Sequence, residues 1–207
     1  MKTDIRPPRS AAIHIAGHAL AHWHTNSPYH RVFIRSIEEI SAGPYLDARN
    51  KAHAVIGMVE GGQRHNALFE ITQGQIRSID IDPPKLETGR QIDGQQFKKT
   101  LIDQASREII HDLAGPMAEA LFLEIPVIAV VIEGGRDDWE HARILAADVM
   151  KTEAEISALL EKQEQATRSL FRMPGAWLAI ETLADALLDQ ASLDWPQSLA
   201  LIKRHID

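Results

Sequence analysis

The chain has 207 residues, 44% of them hydrophobic and 25% charged, which suits one well-buried globular domain or a domain with an insertion. A net charge of −7, with no block of Lys and Arg, argues against nucleic acid as a main partner. Cysteine is absent, which excludes disulfides, a thiolate zinc site and a Cys nucleophile, and fits a reducing cytoplasm. The stretch from Met1 to Arg9 lacks the apolar core of a signal peptide. The longest apolar run, Ile125 to Ile132, is far shorter than the ~20 residues that span a bilayer. No phosphate-cradling G-x-x-x-x-G-K-[ST] loop occurs, so the chain offers no ATP site.

Taken in chain order, Ser10 is the expected N-cap of a helix over residues 11–24, after Pro7-Pro8. Ile13, Ala16, Leu20 and Trp23 follow helical spacing. Gly17 costs about 1 kcal/mol against Ala inside a helix, which points to close approach by another backbone or group. Asn26-Ser27-Pro28 ends the helix. Val32-Phe33-Ile34 reads as a strand and Ser41 to Asp47 as a loop. Residues 50–94 read as a small antiparallel β insertion, with strands over 55–59, 67–71 and 75–81.

Helical periodicity returns over residues 95–122, where Pro116 should kink the helix or divide it. The apolar run Ile125 to Ile132 is expected to be a buried strand. Asp137 is the expected N-cap of a helix reaching about Lys151. Further helices are expected over 152–171 and 177–190, and a last short one opens at Asp194-Trp195-Pro196. The fold class is therefore mainly α (α+β): one domain over 1–207, with the β insertion inside it.

One segment carries chemistry. His14-Ile15-Ala16-Gly17-His18 places two His at i and i+4, where they face one way and can grip one Zn²⁺. In the active H-E-x-x-H motif the second position is a Glu that serves as general base. Here it is Ile15. His22 lies one turn further on the same face. A zinc site needs a third protein ligand. Asp137, Asp138, Glu140 and His141 are candidates, although a carboxylate in a first helical turn also serves as a cap or complements the helix dipole.

Four segments, in order, resemble the peptidase domain of FtsH-type AAA+ zinc metalloproteases. His14-Ile15-Ala16-Gly17-His18-Ala19 is similar to the family's H-E-A-G-H-A. Leu113-Ala114-Gly115-Pro116-Met117-Ala118-Glu119-Ala120 is similar to L-(A/G)-G-R-A-A-E-E. Gly135-Arg136-Asp137-Asp138-Trp139 resembles the family's G-x-x-N-D segment, and Leu183-Ala184-Asp185-Ala186-Leu187-Leu188 its C-terminal helix. The resemblance implies a helical zinc-peptidase-like domain with His14, His18 and Asp138 as metal ligands. It implies Glu119 as an auxiliary group, while helical spacing alone adds His22, one turn beyond His18, and His141, at i+3 from Asp138.

The departures matter as much. Ile15 replaces the catalytic Glu, Pro116 the Arg and Arg143 the Thr of the family motifs. The family's ATPase domain is not expected in this chain, so ATP-driven unfolding would need a separate ATPase partner, and any homo-oligomer would have to form without that domain. The expected activity is peptide or partner-protein binding with impaired hydrolysis. The alternatives are an active metalloendopeptidase with a substitute base, and a metal-free interaction protein.

Overall fold

The computed structural model describes residues 7–47, 50, 52–61 and 94–206. The fold is mainly helical with small antiparallel sheets. Its elements are α1 (Arg9–His24), β1 (Arg31–Ile34), α2 (Ile37–Ser41), β2 (Tyr45–Leu46), β3 (Ala52–His53) and β4 (Gly57–Glu60). They continue as α3 (Gly94–Leu123), α4 (Val127–Glu133), α5 (Arg136–Val149), α6 (Glu153–Phe171), α7 (Ala176–Gln190), β5 (Ser192–Asp194) and α8 (Trp195–Ile202).

Helix α1 is the centre of the core. It is buried almost all round, through Ala12, Ile13, Ile15, Ala16, Ala19 and Leu20, as a helix must be when other elements surround it. It packs on α3 and α7 and touches β4. Its close approach to α3 depends on Gly17. A Cβ there would stand 2.5 Å from the Ala114 carbonyl oxygen and 2.7 Å from the Ala118 Cβ. The backbone approach expected at Gly17 is therefore that of α3.

In the main sheet the order is β4–β1–β5, all antiparallel, with Val32 opposite both Val59 and Leu193. β4 lies within the stretch expected to be a β insertion, yet it pairs directly with β1 and so belongs to this sheet. β2 and β3 form a separate pair, with Tyr45 opposite His53. The strands expected over 67–71 and 75–81 lie outside the described residues.

Three expectations need correction. The run from Ile125 to Ile132 is helical, and Ile128 and Ile132 are exposed at 62% and 66%. A short apolar run cannot be told from a helix by periodicity, and Pro126, which has no N–H for a ladder, caps α4 instead. Ser10 is inside α1, because Pro8, fixed in an extended conformation, is the cap. Asp137 likewise sits in the first turn of α5, behind Gly135 as cap. Thr152 and Asp194 are the N-caps of α6 and α8, each closing a capping box, with Glu155 and Gln197 respectively. Pro116 does not divide α3, which runs through it unbroken.

Candidate metal centre

His14 and His18 project from one face of α1, as their i, i+4 spacing requires. Asp138, in the first turn of α5, comes to meet them. Its Oδ2 lies 3.1 Å from His14 Nε2 and 3.7 Å from His18 Nε2. Tetrahedral zinc with bonds of about 2.0–2.2 Å places its ligand atoms roughly 3.3 Å apart, and the two distances bracket that spacing. Among the described residues these three form the cluster that could hold a metal ion, with all ligand atoms within 4.8 Å of one another. Their side chains are 15%, 14% and 30% exposed, so a small ion reaches them from one side.

The rings are aimed by their other nitrogens. His14 Nδ1 is 2.9 Å from Glu119 Oε2. His18 Nδ1 is 2.7 Å from the His111 carbonyl oxygen, which can only accept, so Nδ1 carries the proton. In the neutral ring Nε2 is then left with its lone pair toward Asp138. This is the tautomer a metal-ligating imidazole takes, and carboxylate or carbonyl partners of this kind also raise ligand basicity. The donor set therefore fits zinc: two imidazoles, one carboxylate and room for a further ligand.

α3 makes that room. A Cβ on Gly115 would overlap His18 Nε2 and lie 2.6 Å from His14 Nε2. The Gly115 face of α3 is thus the floor of the site, with Asp112 and Glu119 one turn to either side of it.

Charge follows geometry. Burial pulls the His14 imidazolium down, but Asp138 and Glu119 outweigh it and hold its pKa at about 9. Burial pushes the Asp138 carboxyl up, yet His18 and His14 bring it well below the usual carboxylate range. Hydrogen bonding to His14 lowers Glu119. Without metal, a proton on His14 Nε2 bridges to Asp138, so proton and metal compete for one nitrogen.

Ile15 is 5% exposed and belongs to the core. A Cβ added to Gly57 of β4 would lie 3.1 Å from its Cγ1. Position 15, where the resemblance expects a general base, is thus filled by a packed aliphatic side chain.

The auxiliary residues fare differently. Glu119 reaches the site by holding His14. His22 turns elsewhere: its Nδ1 meets the Ser27 carbonyl at 3.0 Å and its ring stacks on His111 at 3.8 Å. Burial and the neighbouring His111 push its pKa down to about 3, so it stays neutral. His141 Nδ1 lies 2.8 Å from Asp112 Oδ2. Burial raises the Asp112 carboxyl despite that contact.

Sequence reading missed His111, Asp112 and Gly115 as parts of the site. His111 acts through its backbone carbonyl, which no side-chain pattern signals. Asp112 and Gly115 have a periodic signal, since with Glu119 they recur at i, i+3 and i+7 on α3.

Glu119→Gln should weaken metal binding about 10–100-fold, because an amide cannot match a carboxylate as acceptor for the imidazole N–H. Competition against a chromophoric chelator measures this, and equal affinities would show that the contact does not tune the ring.

No protein-family model matches the chain, and no curated protein matches it.

Proposed function

We propose that this chain is a zinc-binding, FtsH-peptidase-like domain that binds peptides or a partner protein and is impaired in hydrolysing them. The observation that carries this reading is the convergence of His14 Nε2, His18 Nε2 and Asp138 Oδ2, with both Nδ1 atoms anchored. Zinc there would polarise a bound carbonyl and lower the pKa of a bound water. His14, His18 and Asp138 would hold the ion, and Glu119 and the His111 carbonyl would fix the rings. Ile15 can neither take nor give a proton. A positioned base is worth about 10²–10⁴-fold, so peptide hydrolysis should be slow by that factor.

Glu119 is committed to His14 and His22 to Ser27, so neither stands free as a replacement base. A second reading, an active endopeptidase, draws on one observation. Asp112 is a partly buried carboxyl with raised proton affinity on the Gly115 face of α3, joined to the exposed ring of His141. The reading places the protein in the cytoplasm, in keeping with the absence of cysteine. Among the described residues, no single helix is long and apolar enough to cross a membrane.

The test is an Ile15→Glu revertant assayed beside wild type on casein, with zinc content measured in both after removal of any affinity tag. Circular dichroism must first show that both are folded, since the new carboxylate enters a buried position under β4. The expected result is stoichiometric zinc in both and cleavage at least about 100-fold faster in the revertant, stopped by a chelator. Equal, chelator-sensitive rates would favour the active-enzyme reading. Absence of zinc from both would remove the metal site altogether.

A further inference from the structure

Pro116 is the least favourable residue that α3 could carry at a buried interior position. It brings no N–H to the helix ladder, and its ring crowds the preceding turn. Its neighbour Gly115 faces the two imidazoles, while the Pro116 ring faces the start of α5. A Cβ on Gly135 would lie 2.9 Å from the Pro116 Cβ and 3.5 Å from its Cγ. A closed ring has no rotamer by which to move aside, so it is a stiff stop against the backbone of Gly135.

Gly135 is the N-cap of α5, and Asp138 follows three residues later, at N3. A side-chain acceptor at N3 commonly folds back on the N-cap N–H and closes a capping box. Elsewhere in this chain it does so. Glu39 accepts from the Ser36 N–H at 2.7 Å, Glu155 from that of Thr152 at 3.0 Å, and Gln197 from that of Asp194 at 2.8 Å. α5 differs. The Gly135 N–H donates to the Val130 carbonyl of α4 at 2.9 Å. The N-cap donor is thus satisfied by backbone, and Asp138 Oδ2 turns instead to His14 and His18, at 3.1 and 3.7 Å. The Gly135 carbonyl in turn accepts the Trp139 N–H at 3.2 Å, which ties the turn bearing Asp138 to the cap. A displaced cap therefore carries Asp138 with it.

We propose that Pro116 is a positioning residue for the metal centre: its ring, set against Gly135, fixes where α5 begins and so aims Asp138 at the two imidazoles. The inference rests on the reading of His14, His18 and Asp138 as metal ligands. Two consecutive residues of α3 then serve the two halves of the site. Gly115 leaves space for the imidazoles of α1, and Pro116 sets the reach of the carboxylate of α5.

Zinc competition against a chromophoric chelator tests it on the full chain, with circular dichroism alongside. Pro116→Ala keeps a small apolar residue in place and restores a helix N–H, so helix content and melting temperature should hold or rise. Its zinc affinity should nevertheless fall about tenfold or more. Gly135→Ala pushes the cap away from the other side and should weaken binding by a similar factor. The double variant should regain most of the affinity, because the new methyl enters the room that the ring vacates. A second readout needs no zinc. In chelator, the NMR resonance of the His14 Nε2 proton that Asp138 holds should shift in each single variant and return in the double one. The proposal is overturned by a Pro116→Ala variant that binds zinc as wild type does, or by single-variant losses that simply add. Loss of helix content in Pro116→Ala also overturns it, since the ring would then hold the core rather than aim Asp138. A wild type that binds no zinc removes the metal reading and leaves the resonance to decide: shifted and restored, it upholds the positioning role; unshifted, it overturns it.

Discussion

His18→Ala should abolish stoichiometric zinc binding. The variant keeps His14 and Asp138 but has two protein ligands, one short of a usable site. Loss of an outer contact alone costs about 10–100-fold, so loss of a ligand should exceed about 100-fold in affinity. The fold should survive, because His18 is only partly buried and its one anchoring bond is to a helix carbonyl. Isothermal titration with zinc, against circular dichroism as a control, reads both. A variant that binds zinc as tightly as wild type would show that these atoms do not hold the ion.

The same site predicts opposite pH trends with and without metal. His14 has a folded pKa of about 9, raised from 6.5. Its contribution to metal-free stability is full below pH 6.5 and lost as pH rises through about 9. Asp138 is depressed from 3.8, so its contribution is full above that value and lost only as pH falls below it. Zinc must displace the His14 proton, so its affinity should rise about tenfold per pH unit up to pH 9. Melts in chelator should therefore drop between pH 6.5 and 9, while melts in zinc rise relative to them. Parallel curves would mean that His14 does not exchange a proton for the metal.

Gly115→Ala should remove the metal while sparing the fold, whereas Gly17→Ala should destabilise the fold itself. At Gly115 the added methyl meets the free ends of two imidazoles. Those rings can swing aside, but only by breaking their Nδ1 contacts to Glu119 and His111 and scattering the Nε2 atoms. Zinc affinity should fall by at least about 100-fold. Stability should change by no more than about 1 kcal/mol, since Ala favours a helix over Gly by that amount. At Gly17 the methyl meets the Ala114 carbonyl, which is backbone and cannot turn away. α1 and α3 must then separate, which should cost about 3 kcal/mol, the upper end for overpacking, even after the gain in helix propensity. Denaturant unfolding of the metal-free variants, with zinc titrations alongside, distinguishes the two. Equal losses of stability would show that the two glycines serve the same packing role.

The two glycines also mark the boundary of what could be read in advance. Both lie in segments that carried the family resemblance, and close approach was foreseeable at Gly17. Nothing in the linear order says that one faces a backbone and the other a pair of imidazoles. The run Ile125 to Ile132 makes the same point: eight residues, six of them Ile or Val with one Ala and one Pro, do not say by composition whether they form a strand or a helix. Packing of Val130 and Val131, with Ile128 and Ile132 left outside, set its conformation.

By itself the sequence determined the helical periodicities, the caps at Thr152 and Asp194, the shared face of His14 and His18, and the absence of a carboxylate at position 15. These are local properties, set by a few neighbouring residues along the chain. Spacing left Asp137, Asp138, Glu140 and His141 open and the resemblance implied Asp138; the tertiary structure is what brings its Oδ2 to both imidazoles. It also decided which groups hold their Nδ1 atoms, that His22 turns away to Ser27 and His111, and that a glycine opens the floor of the site. Those outcomes depend on how α1, α3 and α5 approach one another, and that approach is set by burial and close packing between residues about 100 positions apart.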